Sequence, residues 1–396
     1  MQPPKQRFGM VSHWDPTISA KLSELGAGVV RVPCNWENME PSRGTFTWGC
    51  SDNAILGATA AGFQVLLTVE CTPAWARTAG DCNTMPSDFG DFYDFVAAFV
   101  QRYSGYNAVL GIWNEPNLRN ISTSDYIALF THAADARNTH APGFTLAAPE
   151  TSHHAITSGN YYASVMAGVG PRMASQDVVT VHLYPDGPQM ASYLDAVRSL
   201  ERVSNDVWLS ETGYPSTDVN TQATYYRDKM IEFETLGITR PWWTKIVFFV
   251  LYDGTDCCTE SILYANFSNK PAFNTYKEWI ADESGGSAGR MGPNTYLFQD
   301  QQIISANGLY HLYYQADGNL VLYDQVWRPL WASNTNGRLP GRTAMQGDGN
   351  LVVYDAGGVA RYWSGTQGHA GGYAVVQDNG GFFIFDIDGV PLKQIH

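Results

Sequence analysis

The sequence predicts an α/β fold in two parts, a (β/α)8 TIM barrel over residues 1–280 and an all-β prism over 294–396, joined by a linker at 281–293. Three observations predict it. Eight short apolar segments alternate with amphipathic ones before residue 280. A small, polar, glycine-rich stretch, ADESGGSAGRMGP, then interrupts the pattern. Beyond it no helical period remains, and a nine-residue motif recurs twice at a spacing of 31 residues.

The strand candidates, in order, are 8–14, 28–36, 64–70, 108–115, 144–150, 177–184, 206–211 and 245–253. Their nearly unbroken apolar character is that of strands covered on both faces. Helix-like stretches lie between them at 87–104, 123–139 and 221–237. In the first, Phe92, Phe95, Val96, Phe99 and Val100 share one face. Eight such units in roughly 270 residues match a closed barrel. A doubly wound sheet is the alternative, and no Gly-rich phosphate loop supports it.

Composition narrows the function classes. Hydrophobic residues make up 44% and charged residues only 16%, with 22 Tyr and 12 Trp. The net charge of −14 argues against nucleic-acid and anionic-membrane partners. No run approaches the roughly 18 apolar residues of a membrane span. The N-terminus has no apolar h-region, while six cysteines favour an oxidising compartment, so the expectation is a secreted chain that begins after a removed signal. Six cysteines allow 15 connectivities. The expected pairing is Cys34–Cys50, Cys71–Cys82 and a vicinal Cys257–Cys258, against free thiols in a reducing compartment. Sequons at Asn120 and Asn266 are compatible with secretion. No metal-ligand spacing stands out, so neither metal nor cofactor is expected, and the chain is expected to be a monomer.

In a barrel of this kind the chemistry stands at the C-terminal strand ends. Those ends carry His13, Arg31 and Asn35, Glu70, Asn114 and Glu115, Glu150, His182 and Tyr184, Glu211, and Tyr252 and Asp253. Two carboxylates, in IWNEPN and WLSETGYP, immediately precede a turn. Two carboxyl groups facing one pocket are the minimum equipment for cleaving a glycosidic bond: one protonates the leaving group, the other attacks or stabilises the sugar cation.

Asn-Glu-Pro after strand 4, Glu after strand 7, Arg on strand 2 and His-x-Tyr after strand 6 together resemble clan A glycoside hydrolases, retaining (β/α)8 enzymes, over about 8–280. The segments WENMEPSRGTFTW (36–48) and TPAWA (72–76) look most like the β-xylosidase and α-L-iduronidase branch and its polysaccharide-cleaving relatives. The resemblance implies Glu115 as general acid/base, Glu211 as nucleophile and Asn114 on the sugar 2-OH. Arg31 and Tyr184 would hold Glu211, with His182 lining the same wall. These enzymes usually end strand 8 with a tryptophan under the sugar. Here KIVFFVLYDG leaves Tyr252 or Phe249 for that role. His13 reads equally as a ligand or a barrel-mouth histidine. Glu70 and Glu150 read as braces more than as ligands. Of Trp14, Trp36, Trp75 and Trp113, one or two are expected to stack on sugars.

In the second part, QADGNLVLY, QGDGNLVVY and QDNGGFFIF are the repeated text. Residues two apart on an extended chain share a face. That would align Gln315, Asp317, Asn319, Val321 and Tyr323, and likewise Gln346, Asp348, Asn350 and Tyr354. Amides, an acid and a phenol suit hydroxyls that both donate and accept. The pattern resembles bulb-type mannose-binding lectins over 291–396, which implies two intact mannose sites and core tryptophans at Trp331 and Trp363. The third repeat departs: Asn379, Gly381, Phe383 and Phe385 replace the acid, the amide, the valine and the tyrosine, so it is expected not to bind. The combined expectation is a retaining glycosidase acting on a polysaccharide or glycan, anchored by mannose binding. A lectin with an inactive barrel and a transglycosylase using the same two glutamates are the alternatives.

Overall fold

The computed structural model describes residues 6–157, 160–187, 189–201, 203–216, 218–237, 240–252, 260–283, 289–305 and 307–396. Two compact units result, one of Met1–Tyr226 and Trp242–Asn274 around the barrel, the other of Arg227–Pro241 and Thr275–His396 around the prism. Cys257, Cys258 and Asp253 lie outside the described residues.

The first unit is a closed barrel of β1 (Phe8–Val11), β2 (Val29–Asn35), β3 (Gln64–Glu70), β4 (Ala108–Ile112), β5 (Thr145–Thr151), β6 (Val178–His182), β7 (Asp206–Thr212) and β8 (Trp243–Phe248). Each strand pairs in parallel with the next, and β8 closes on β1 through Gly9 and Val247. The expected strands are all present. Most run shorter than expected at the C-terminal end, because the residues there leave the ladder to form turns.

The connecting helices are α1 (Pro16–Leu25), α2 (Phe89–Tyr103), α3 (Thr123–His140), α4 (Tyr161–Val169), α5 (Met190–Glu201), α6 (Val219–Gly237) and α7 (Pro271–Glu283). Their starts are legible in the sequence. Asp15 accepts from the amides of Thr17 and Ile18, and Asp88 from that of Gly90, so side chains satisfy the first-turn donors. The apolar face expected for α2 is real: Phe92, Phe95, Val96, Phe99 and Val100 are all fully buried.

Two disulfides form, Cys34–Cys50 and Cys71–Cys82, as the cysteine spacing suggested. They tie the loops after β2 and β3. No helix among the described residues is long and apolar enough to cross a membrane.

The second unit is built from β9 (Arg290–Met291), β10 (Thr295–Leu297), β11 (Gln302–Ile304), β12 (His311–Tyr314), β13 (Leu320–Tyr323), β14 (Pro329–Ala332), β15 (Pro340–Met345), β16 (Leu351–Asp355), β17 (Ala360–Trp363), β18 (Tyr373–Val376), β19 (Phe382–Phe385) and β20 (Pro391–Gln394). They make three four-stranded antiparallel sheets, ordered β11-β12-β13-β14, β10-β15-β16-β17 and β9-β18-β19-β20. The sheets interlock, since β9 and β10 pair with strands far along the chain. Residues 290–291, expected within the linker, are therefore strand, and residues 281–283 continue α7. The core repeats with the sequence: Leu320, Leu351 and Phe382, then Leu322, Val353 and Ile384, are buried in one cluster.

Two expectations about the prism change. Residues 315–319 are not extended. They form the hairpin turn between β12 and β13, closed by Gln315 N–H on Asn319 O at 2.9 Å. The polar row is thus folded back on itself. Trp363 is 60% exposed rather than core. The 31-residue period makes Tyr362 the counterpart of Trp331. Tyr362 and Trp331 pack partly buried on the core, while strand alternation turns Trp363 outward.

Candidate functional site

Six barrel strands, β2 to β7, converge their C-terminal ends on one charged cluster. Buried Arg31 is its centre. Its Nη1 donates to Glu211 Oε2 at 2.8 Å, and its Nη2 donates to Glu150 Oε2 at 2.6 Å and Asn114 Oδ1 at 2.8 Å. Tyr184 donates its hydroxyl to Glu211 Oε1 at 2.5 Å, so both oxygens of Glu211 accept a bond. Thr68 supports Glu150 at 3.1 Å. A Cβ at position 111 would stand 1.8 Å from Glu150 Oε1, so the glycine there makes the space for the Arg31–Glu150 pair.

Burial alone would discharge Arg31, and the facing carboxylates of Glu150 and Glu211 more than offset it, raising its pKa. Glu150 is fully buried and balanced the same way. Burial pushes it up, and Arg31 with His182 pulls it below the usual carboxylate range. Glu150 therefore braces Arg31, as the sequence favoured.

His182 stands between the two glutamates. Its Nδ1 lies 3.0 Å from Glu115 Oε1 and 3.8 Å from Glu211 Oε2. It serves the Glu115 side, because Glu115 leaves β4 with a positive φ of 45° that swings its carboxylate toward β6. Burial opposes a charge on His182, but Glu211, Glu115 and Glu150 outweigh it and raise its pKa to about 9. Burial also raises Glu115, and His182 overturns that, so the Glu115 carboxyl sits below its ordinary range. One proton is thus held on His182 beside a carboxylate. Glu70 differs again. It is half-buried at the end of β3, and desolvation raises its pKa against the pull of Arg119 and Arg31.

Backbone strain collects at these ends. Cys71, Trp113, Glu115 and Glu150 all have φ between 45° and 66°. Left-handed backbone at non-glycine residues is sparsely populated and clusters at functional sites.

Trp113 is fully buried, with no surface open to a sugar, which corrects its expected binding role. Trp36 is likewise core. Trp75 is capped on its ring by Arg43 at 4.9 Å. Trp14 packs edge-on to Phe63 at 5.6 Å. On the strand-8 side, Tyr252 stacks on Phe267 at 4.2 Å, and exposed His13 stands 6.2 Å from the Tyr252 ring, bonded to Asp15. Phe249 packs against Val11, Val29, Val247 and Val250.

Two supporting residues escaped the sequence reading, Thr68 and Arg119. Thr68 lies two positions before Glu70, so strand alternation alone puts it on the same inward face. Nothing local marks Arg119. Neither did the reading anticipate that His153, His154 and Asp186 bring ligating atoms within 4.8 Å of one another.

In the prism, Gln315 donates to the Tyr323 hydroxyl at 2.6 Å, and Gln346 to that of Tyr354 at 2.8 Å. Asp317 and Asp348 each accept from the amide of the asparagine two residues on. Asn319 spends its carbonyl oxygen on Ser333 Oγ and Thr335 N, and Asn350 on Ser364 Oγ and Gly365 N. The third row has Gly381 at that position and rings, Phe383 and Phe385, 5.9 Å apart, in place of the valine and the tyrosine.

The family match gives the class: this is a glycoside-hydrolase barrel. The chain belongs to the cellulase family (glycosyl hydrolase family 5), which residues 2–245 match. Among solved structures, it is similar to a family 39 glycoside hydrolase from the gut symbiont Bacteroides cellulosilyticus WH2, at 16% identity and TM-score 0.61, over 98% of this chain and 81% of that one. A family 39 β-xylosidase from Caulobacter crescentus aligns at 16% identity and TM-score 0.58, over 81% and 77%. An endo-β-1,4-glucanase from Xanthomonas axonopodis pv. citri aligns at 15% and 0.55, over 70% and 99%. These likenesses are of fold. No protein of curated function matches the chain in sequence.

Proposed function

We propose that the barrel hydrolyses a glycosidic bond of a polysaccharide or glycan with retention, Glu211 as nucleophile and Glu115 as acid/base. The observation that carries this is the separation of the two carboxylates. Oxygens of Glu115 and Glu211 lie within 4.8 Å of each other. Retaining pairs stand about 5–5.5 Å apart, whereas inverting pairs need roughly 6.5–9.5 Å to admit a water.

His182 solves a difficulty in this assignment. A general acid needs a proton at working pH, yet the Glu115 carboxyl is held low. The proton that His182 keeps is one 3.0 Å hydrogen bond from Glu115 Oε1. Sugar entry removes water, and a dry site disfavours the separated charges, so the proton passes to Glu115. Glu115 then protonates the leaving oxygen as Glu211 bonds the anomeric carbon. Glycosylation removes the negative charge of Glu211, the foremost charge holding the proton on His182. His182 is then neutral and Glu115 a carboxylate, ready to take a proton from the water that releases the sugar from Glu211. That proton restores the pair.

Arg31 and Tyr184 orient Glu211, Asn114 faces the sugar 2-OH, and Tyr252 with His13 forms the strand-8 side of the subsite. The motifs at 36–48 and 72–76 support a substrate of the kind taken by the β-xylosidase and α-L-iduronidase branch or its polysaccharide-cleaving relatives. The prism rows Gln315–Tyr323 and Gln346–Tyr354 bind mannose-type sugars and keep the catalyst on its polymer through effective concentration. The two disulfides support secretion.

Turnover of aryl glycosides tests the catalytic reading. Wild type is active. Glu211→Ala loses at least roughly 10⁴-fold and regains turnover with azide, giving the product of inverted anomeric configuration. A Glu211→Ala variant as active as wild type ends the assignment.

A further inference from the structure

The three prism repeats provide an internal control at one surface turn. After β13, β16 and β19 the chain reads Asp-Gln-Val-Trp-Arg, Asp-Ala-Gly-Gly-Val and Asp-Ile-Asp-Gly-Val. The fourth residue of each turn is left-handed: Gly358 has φ 75°, Gly389 has φ 84°, and Trp327 has φ 59°. Glycine adopts this conformation freely, while a bulky residue there is an outlier. Trp327 gains no burial in exchange, since it is 55% exposed. Folding alone therefore favours glycine, as the sister repeats have it.

The tryptophan is also not isolated. Its ring stacks on His311 at 4.9 Å and 21°, stands edge-on to Tyr313 at 6.3 Å, and meets Tyr323 at 5.5 Å. His311 pairs with Tyr323 across β12 and β13, and Tyr313 with Val321. Strand alternation gives this face to the ligand row, while Leu312, Tyr314, Leu320 and Leu322 fill the core on the other. The second repeat has Arg342 and Ala344 at the places of His311 and Tyr313, and Gly358 at that of Trp327.

We propose that Trp327 is a sugar-stacking residue that extends the first row, so that this site takes an oligosaccharide while the second takes a single residue. Sugar hydroxyls ring a pyranose, but its faces carry C–H groups, and an exposed indole buries one such face. The row from Gln315 to Tyr323 holds one sugar by its hydroxyls. The shelf beginning at Tyr323 holds the next by its face. The proposal rests on the mannose-binding reading of that row.

The test uses the full chain with the second row silenced by Gln346→Ala, titrated with methyl α-mannoside and with an α-linked mannotriose. Trp327→Gly removes one indole N–H resonance and so identifies it. That resonance is expected to shift with mannotriose. Trp327→Gly should bind mannotriose roughly three- to tenfold more weakly, bind the monosaccharide unchanged, and keep or raise the thermal midpoint. Trp327→Phe should recover part of the loss. Equal mannotriose binding by wild type and Trp327→Gly overturns the shelf and leaves the row standing. If the parent binds neither sugar, the mannose reading falls and the shelf with it.

Discussion

The barrel mouth and the prism rows differ in how the sugar sites proposed for them are built. Arg31 and Glu211 are bonded across 180 residues of chain, and His182 reaches Glu115 across 67. Each prism row is instead written within nine consecutive residues, and its side-chain hydrogen bonds reach no further than 16 residues, from Asn319 to Thr335. The mouth exists only when the barrel closes, and its charges are interdependent. The rows are nearly self-contained, so the same text can be duplicated or, as at Phe383 and Phe385, lost without harming the fold. The difference teaches where to expect coupling: strong at the mouth, weak in the prism.

The largest effect that would break this contrast is chemical. Glu211→Ala should remove at least roughly 10⁴-fold of kcat while leaving mannose binding untouched. A fall in sugar affinity in that variant would show that the prism is not independent.

Next comes stability. Arg31→Ala leaves Glu150 buried without its guanidinium partner, which costs about 3–5 kcal/mol. Differential scanning calorimetry should show the barrel transition lowered by on the order of 10 °C. Gln315→Ala, at a half-buried turn, should shift its transition by an amount within roughly 0.5 kcal/mol. Equal shifts for both would erase the distinction.

The third effect is a pH signature. His182 keeps its proton to about pH 9, so the alkaline limb of kcat/KM should lie near there. In His182→Phe it should drop toward the roughly 5–7 range of a buried carboxyl. The same group links stability to pH. Its folded pKa is raised from 6.5 to about 9. Its stabilisation is therefore complete below pH 6.5 and lost as pH rises through 9. Thermal midpoints of wild type should fall more than those of His182→Phe across that window. Parallel curves would deny His182 its charge.

The smallest effect is Gln315→Ala on binding, a loss of about two- to tenfold in mannose affinity with unchanged turnover of small aryl glycosides. A loss of turnover on those substrates would mean the row supports catalysis directly.

Much of this was legible beforehand. Short apolar segments, capped helix starts and the 31-residue period carry the barrel and the prism, because burial on both faces and strand alternation leave direct marks on residue order. Cysteines 16 and 11 residues apart pair as their spacing suggested. Glu115 and Glu211 stand out among the strand-end acids because each immediately precedes a turn, in motifs that resemble those of clan A glycoside hydrolases. What tertiary structure alone decided is which way those strand ends turn. The positive φ values at Trp113, Glu115 and Glu150 break the period-2 rule where the chemistry lies. Trp113 thus went inward, and His182 came to bond Glu115 while staying 3.8 Å from Glu211. Arg31 was readable as the partner of Glu211, but its division between Glu211 and Glu150 follows from barrel closure, which sets two distant carboxylates around one buried cation. In the prism, the turn at 315–319 folds back a row that extended-chain spacing would lay flat. Periodicity along a chain fixes the face of a regular strand. It says nothing of a chain that has left the strand, where partners distant in sequence choose the geometry.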